Sequence, residues 1–398
     1  MAGVFDRLGE AAVAKALQEL QTPCYVLDEK VLKENGQVLS DVQEHTGCRI
    51  LLAQKAFSNY DLYPALAPYL AGTEASGVFE ARLGREEMPD KEVHVFCTAY
   101  RAKDMEAIFN YADHVVFNSI SQLAVFGPAA KSAGMSIGLR INPECSTQEE
   151  SHSIYDPCAT GSRLGVTRAQ WDKLMTEGVY SLLDGLHFHT LCEQDAYDLE
   201  TTLNTVIEKF GQFLPDMKWL NMGGGHHITR NGYDVARLEK IVKETADKYD
   251  LQVYLEPGEA CALNAGYLIT TVLDVTENNG IKNVIIDASA ACHMPDVIEM
   301  PYRPPLYGAG EAGEKAFPVR IGGPTCLAGD VIGNYSFDKM PQIGDRLIFG
   351  DMAIYTTCKN NTFNGTPLPD VHVLHPDNTT TLVARFGYQD FKYRLGSS

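Results

Sequence analysis

The chain has 398 residues, 45% hydrophobic and 21% charged, a balance that excludes a disordered composition and provides for more than one buried core. Its 33 basic and 52 acidic side chains give a formal charge of −19. That charge argues against nucleic acid or an anionic membrane as partner and is compatible with a cationic small molecule.

No apolar run reaches the ~20 residues a membrane-spanning helix needs. The ten cysteines are scattered without CxxC pairs, which points to reduced thiols in a cytoplasmic protein. Residues 1–20 carry Asp6, Glu10 and Glu19 among alanines and read as an amphipathic helix, not as a signal peptide. Residues 22–28 (TPCYVLD) read as a strand that joins either the barrel or a later β domain, the latter being expected.

From 49 to 258 short apolar runs alternate with longer amphipathic ones. Strands are expected at 49–55, 72–77, 93–99, 114–119, 136–142, 185–190, 219–224 and 252–258, and helices at 104–111, 119–132, 196–213 and 235–249. Eight strands in βα alternation is the count that closes a parallel (β/α)8 barrel; a doubly wound open sheet is the second reading. After Gly266 strands are expected at 267–278, 283–288, 345–349 and 380–385, between Pro/Gly-rich loops. The predicted organisation is therefore an N-terminal helix and strand over 1–35, a barrel over 36–266, and a β-rich sandwich or barrel domain over 267–398.

Barrel active sites lie at the C-terminal strand ends, and there the polar oddities collect. Lys55 closes the first strand, where a lysine either carries a cofactor covalently or snorkels at the rim. Gly223, Gly224 and Gly225 lie between a strand and a helix, where bare amides can wrap a phosphate or simply make a tight turn. Glu256 ends the eighth strand and suits either a basic rim partner or a protonated pyridine nitrogen. His187 and His189 point the same way on one strand. No third and fourth metal ligands accompany them at suitable spacing, so zinc is set aside there and no metal is expected.

In the order LLAQKAF, HFHT, MGGG, EPG, GPTC and GDMAIYT, these segments resemble the fold-type III pyridoxal-phosphate decarboxylases, the group of ornithine/arginine and diaminopimelate decarboxylases. The segments GTEASGVFEARLG, HTLCEQ, GGGHHIT and EPGEA are most similar to the carboxynorspermidine (carboxyspermidine) decarboxylases within it. The resemblance implies that Lys55 carries pyridoxal 5'-phosphate, with His189 stacked on the ring and Arg140 beside it. Glu256 would pair with the ring nitrogen, while Gly223, Gly224, Gly225 and Tyr355 would hold the phosphate. It further implies a homodimer with shared active sites, Cys326 reprotonating Cα across the interface and Arg163 pairing there with Asp330. A free cysteine is otherwise most often a buried small hydrophobe.

Departures from the family pattern narrow the substrate. Glu259 stands where arginine usually follows EPG, Leu327 replaces an acid after GPTC, and Leu191 and Cys192 replace a glycine–serine pair. Glu259 and Asp287, with Asp296, are expected to read the amines of a carboxylated triamine; Asp296 and Glu299 are alternatively solvated loop charges. Diaminopimelate decarboxylase and a non-catalytic pyridoxal-phosphate carrier are the other readings. An anion at position 259 counts against the former and the extra β domain against the latter.

Overall fold

The computed structural model describes residues 3–148 and 155–396. It divides into two compact units, one of Met1–Lys33, Ala56–Asp61 and Ala262–Ser398, the other of Glu34–Lys55 and Leu62–Cys261. The short insert Ala56–Asp61 thus leaves the unit that a continuous domain over 36–266 would assign it to.

Strand β1 (Cys24–Asp28) leads into the helix Glu29–Thr46, and eight parallel strands follow in the barrel unit. They are β2 (Arg49–Ala53), β3 (Gly72–Ala75), β4 (Glu92–Phe96), β5 (His114–Phe117), β6 (Ser136–Arg140), β7 (Gly185–His187), β8 (Trp219–Asn221) and β9 (Gln252–Leu255). Each pairs with the next, and β9 returns to β2 through Arg49↔Tyr254 and Ile50↔Leu255. The sheet is closed, so the open doubly wound alternative falls away. Each observed strand stops before the residue expected to end it, because the last positions turn outward into the loops at the barrel's C-terminal end.

The helices follow local signals. Asp195 caps Ala196–Phe210, whose buried Leu199, Leu203, Val206 and Phe210 form a stripe at helical spacing. The expected continuation to 213 is instead the 3₁₀ turn Gly211–Asp216 with Pro215 inside it. Asp234 caps Val235–Tyr249, and Asp250 ends that helix at φ 53°. Inside the barrel Trp219 stands so close to β6 and β7 that a Cβ on Gly185 would lie 2.0 Å from the indole, and one on Gly138 2.3 Å. Glycine at these two positions is what lets β8 carry a tryptophan inward.

The other unit is a β sheet built from β1, β10 (Gly266–Asn278), β11 (Ile281–Ile286), β12 (Phe317–Gly322), β13 (Val331–Phe337), β14 (Arg346–Gly350), β15 (Asp370–Leu374) and β16 (Thr380–Ala384). Its order is β13-β12-β11-β10-β1-β15-β16, with β14 on β10. β1 therefore lies centrally, antiparallel to β10 and parallel to β15. The N-terminal helix is shorter than expected: Asp6–Gly9 is a 3₁₀ turn and Ala11–Gln18 the α-helix, whose Val13 and Leu17 pack with Val26 and Ile269. Positions 1 and 2 of that expected helix lie outside the described residues. Among the described residues no helix is long and apolar enough to cross a membrane.

Candidate active site

Three neighbouring strands end on polar residues: Arg140 on β6, His187 on β7 and Asn221 on β8, in register as Arg140↔His187↔Asn221. Glu256 follows β9, Glu74 sits near the end of β3, and Phe96 ends β4. Lys55 comes two residues after β2, in a turn, and is exposed; a lysine inside a buried strand end was the expectation. Lys55, Glu74, Phe96, Arg140, His187, His189 and Glu256 line one cavity of about 220 Å³.

Both Glu256 oxygens are held. Asn221 donates to Oε1 at 2.5 Å, and Nε2 of His187 lies 3.1 Å from Oε2. Burial alone would raise the Glu256 carboxyl, but the adjoining His187 and Asn221 bring it below its ordinary value, so it is an anion. Burial outweighs that anion at His187 and keeps its imidazole neutral, with Nδ1 buried and without a hydrogen-bond partner among the described residues. Glu74 behaves oppositely. Burial and the negative Glu256 push it well above the usual carboxylate range, leaving a neutral acid beside an ionised one.

His189 accepts the Gly224 amide on Nδ1 at 2.8 Å, and its carbonyl accepts from Arg140 at 3.2 Å. Burial, then the charges of Lys55 and Arg140, hold its pKa well below the ordinary value. The ring is therefore neutral with its proton on Nε2. Arg140 lies over the Phe96 ring at 4.7 Å. Gly223 and Gly225 have φ of 69° and 81°, and a Cβ at Gly223, Gly224 or Gly225 would come within 2.5 Å of a backbone carbonyl oxygen. Only glycine lets this loop lie so near the mouth of the barrel, where the Gly223 amide donates to Asn221 at 2.8 Å and that of Gly224 to His189.

Glu259, also in the barrel unit, has Oε2 3.3 Å from Nε2 of the buried His227. Arg163 is exposed, and its carbonyl accepts from Asn118.

The remaining predicted residues belong to the sheet unit. Cys326 is exposed, its amide donating to Asn364 at 2.9 Å, in contrast to the buried cysteine of the alternative reading. Tyr355 adopts φ 53°, and its amide donates to Ala56, the residue after Lys55 in the chain. Asp287 accepts the Thr271 amide at 2.8 Å at the β10 bulge. Asp296 and Glu299 both ion-pair with Lys359, so neither is a free loop charge. Asp330 is buried, and Ser289, Ala290, Ala291 and Thr325 all donate to its carboxylate. That carboxylate is saturated within its own unit, which the expected pairing with Arg163 of a second copy did not anticipate.

Sequence reasoning passed over Glu74, Asn221 and the His187 partnership. The signal for Glu74 was present, an acid in the otherwise apolar strand segment GTEA, the same kind of oddity that singled out Lys55.

Residues 24–353 match the family model described as pyridoxal-dependent decarboxylase, C-terminal sheet domain. The chain belongs to the pyridoxal-dependent decarboxylases. Within that family it is 39% identical to a carboxynorspermidine/carboxyspermidine decarboxylase of Campylobacter jejuni, over 95% of this chain and 99% of that protein. It is 40% identical to a carboxyaminopropylagmatine decarboxylase of Synechocystis, over 96% and 97%. A solved carboxynorspermidine decarboxylase from Campylobacter jejuni, complexed with norspermidine, superposes with a TM-score of 0.86 at 39% identity, covering 94% of this chain and 100% of that one. Diaminopimelate decarboxylases stand farther off, that of Deinococcus radiodurans at 25% identity over 91% of this chain.

Pyridoxal 5'-phosphate is the cofactor of this family, and the residues present fit it. One cavity offers a primary amine, a buried anionic carboxylate and a buried unpartnered imidazole nitrogen, with a glycine-only loop at the same end of the barrel.

Proposed function

We propose that this pyridoxal-dependent decarboxylase acts on carboxynorspermidine and carboxyspermidine, giving norspermidine and spermidine in polyamine biosynthesis. The observation that carries the reading is the near-complete alignment at 39% identity with the Campylobacter jejuni enzyme of that name. Glu259, Asp287 and Asp296 are the proposed readers of the substrate amines. The His227 contact of Glu259 and the Lys359 contact of Asp296 supply a reason for those carboxylates to be held rigidly. The Synechocystis relative supports a second reading, in which the distal group is a guanidinium. A guanidinium asks for bidentate contact with a carboxylate, whereas an ammonium asks only for a nearby anion.

When bound, pyridoxal phosphate supplies an electron sink for the pair left at Cα as carbon dioxide departs. Lys55 attaches it through the ε-amine. Glu256, kept ionised by His187 and Asn221, holds a proton on the ring nitrogen. His189 would cover the ring face, with Arg140 beside it. The loop of Gly223, Gly224 and Gly225, together with the Tyr355 hydroxyl, would hold the phosphate, the amides of Gly223 and Gly224 exchanging Asn221 and His189 for it. Cys326 returns a proton to Cα, contributed from the second subunit of a homodimer whose interface includes Arg163, while Asp330 is spent on Ser289, Ala290, Ala291 and Thr325 of its own subunit. The exposure of Cys326 and Arg163 in the single chain supports that assignment. The protein is proposed to work in the cytoplasm.

Carbon dioxide release measured side by side from carboxynorspermidine, carboxyspermidine, carboxyaminopropylagmatine, diaminopimelate and ornithine tests the reading. Turnover should be fastest on the first two. Preference for carboxyaminopropylagmatine moves the protein to the second reading, and release from diaminopimelate alone overturns both.

A further inference from the structure

We propose that the N-terminal end of the barrel, opposite the cofactor end, binds a divalent transition ion of the zinc class through Glu92, His94 and His114. Glu92 and His94 lie two residues apart on β4, so their side chains share a face. His94 is the register partner of His114 on β5. One potential ligand atom from each of the three lies within 4.8 Å of the others. Oε2 of Glu92 is 3.2 Å from Nε2 of His94. The two imidazoles stack with centroids 3.9 Å apart and planes 9° from parallel. Nδ1 of each ring is buried without a hydrogen-bond partner among the described residues. Two stacked, incompletely bonded imidazoles beside a carboxylate are costly to bury, and an ion satisfies them.

Coordination requires the rings to tilt from their stack, since an imidazole lone pair lies in the ring plane. Zn–N and Zn–O distances of about 2.0–2.2 Å further require the three ligand atoms to draw together. His114 and Glu92 are only half-buried, which leaves a fourth position for water, although the His114 ring must turn against Trp219 and Tyr254 to reach the ion. Two imidazoles select zinc, cobalt or nickel over magnesium or calcium. Arg49 ion-pairs with Oε1 of Glu92 and so steadies the carboxylate as an outer-shell group does. The ion would tie β4 to β5 at the barrel floor, away from the reacting atoms. The two histidines are 114 − 94 = 20 positions apart in the chain, a spacing that no short zinc motif shares, so only the strand register brings them together.

The test is cobalt(II) titration of the chelator-treated holoenzyme, read by its visible ligand-field bands and by bound metal per chain. Wild type should bind one equivalent with a nitrogen/oxygen spectrum that lacks thiolate charge-transfer bands, and its melting temperature should rise. His114→Gln and Glu92→Gln, shown to be folded by circular dichroism, should each bind about tenfold or more weakly and lose that rise. The absence of stoichiometric binding by wild type, a thiolate spectrum, or unchanged binding by both variants overturns the proposal.

Discussion

Nε2 of His187 lies 3.1 Å from Oε2 of Glu256, and through this contact a neutral imidazole helps keep a buried carboxylate ionised. The glutamate pKa is lowered by this partner and by Asn221, so its useful form is present at neutral pH and is lost as pH falls through that lowered value. His187→Phe removes one of the two donors. The acid limb of the kcat profile should then move to higher pH, with KM little changed. A profile that keeps its acid limb would remove His187 from this positioning role.

Glu256→Gln tests the carboxylate itself. With no anion to hold the ring proton, kcat should fall on the order of 100-fold or more, the scale of one positioned proton-handling group. The absorption spectrum of the cofactor-loaded variant should also shift, which a merely structural loss would not produce.

Glu74 gives a stability prediction with a defined sign. Its folded pKa is raised above the ordinary 4.5 by burial and by Glu256. The stability linked to it is fully present below 4.5 and is lost as pH rises toward the folded value. Glu74→Gln should therefore raise the melting temperature of the cofactor-free protein little at pH 4.5 and more at pH 8. A melting difference that stays constant across that window would contradict the assignment.

In the sheet unit, Nε of Arg7 lies 3.0 Å from Oδ2 of fully buried Asp28, whose Oδ1 accepts the amides of Lys30 and Val31 at the start of the helix Glu29–Thr46. Arg7→Ala leaves that anion without its cation and should cost about 3–5 kcal/mol in chemical denaturation. Arg7→Met, which keeps bulk but no charge, should cost nearly as much; a small loss in both would mean that the pair contributes little.

Much of this fold was legible because a parallel barrel buries both strand faces, and eight apolar runs at regular spacing have few other ways to close. The strands β12, β13 and β15 were not read, since FPVRIG, VIGNYSF and DVHVL are short, carry Pro, Gly or charge, and are made strands by their neighbours. At the site, Lys55, His189, Glu256 and the glycine loop stood out as polar or bare positions in apolar strands. Glu74 carried the same kind of signal, an acid in the strand segment GTEA, and was passed over. The Lys359 contacts of Asp296 and Glu299 could not be read, because ion pairs about sixty residues apart leave no periodic trace. Asp330 was expected at an interface only through the family resemblance, and sequence does not reveal how many donors converge on its carboxylate.

Whether Lys55 carries the cofactor is read by borohydride reduction of the reconstituted protein followed by peptide mapping. A pyridoxyl group is expected on the peptide containing residue 55, and none on that peptide in Lys55→Ala. A protein that stays colourless and unlabelled, or carries the group on another lysine, would contradict it.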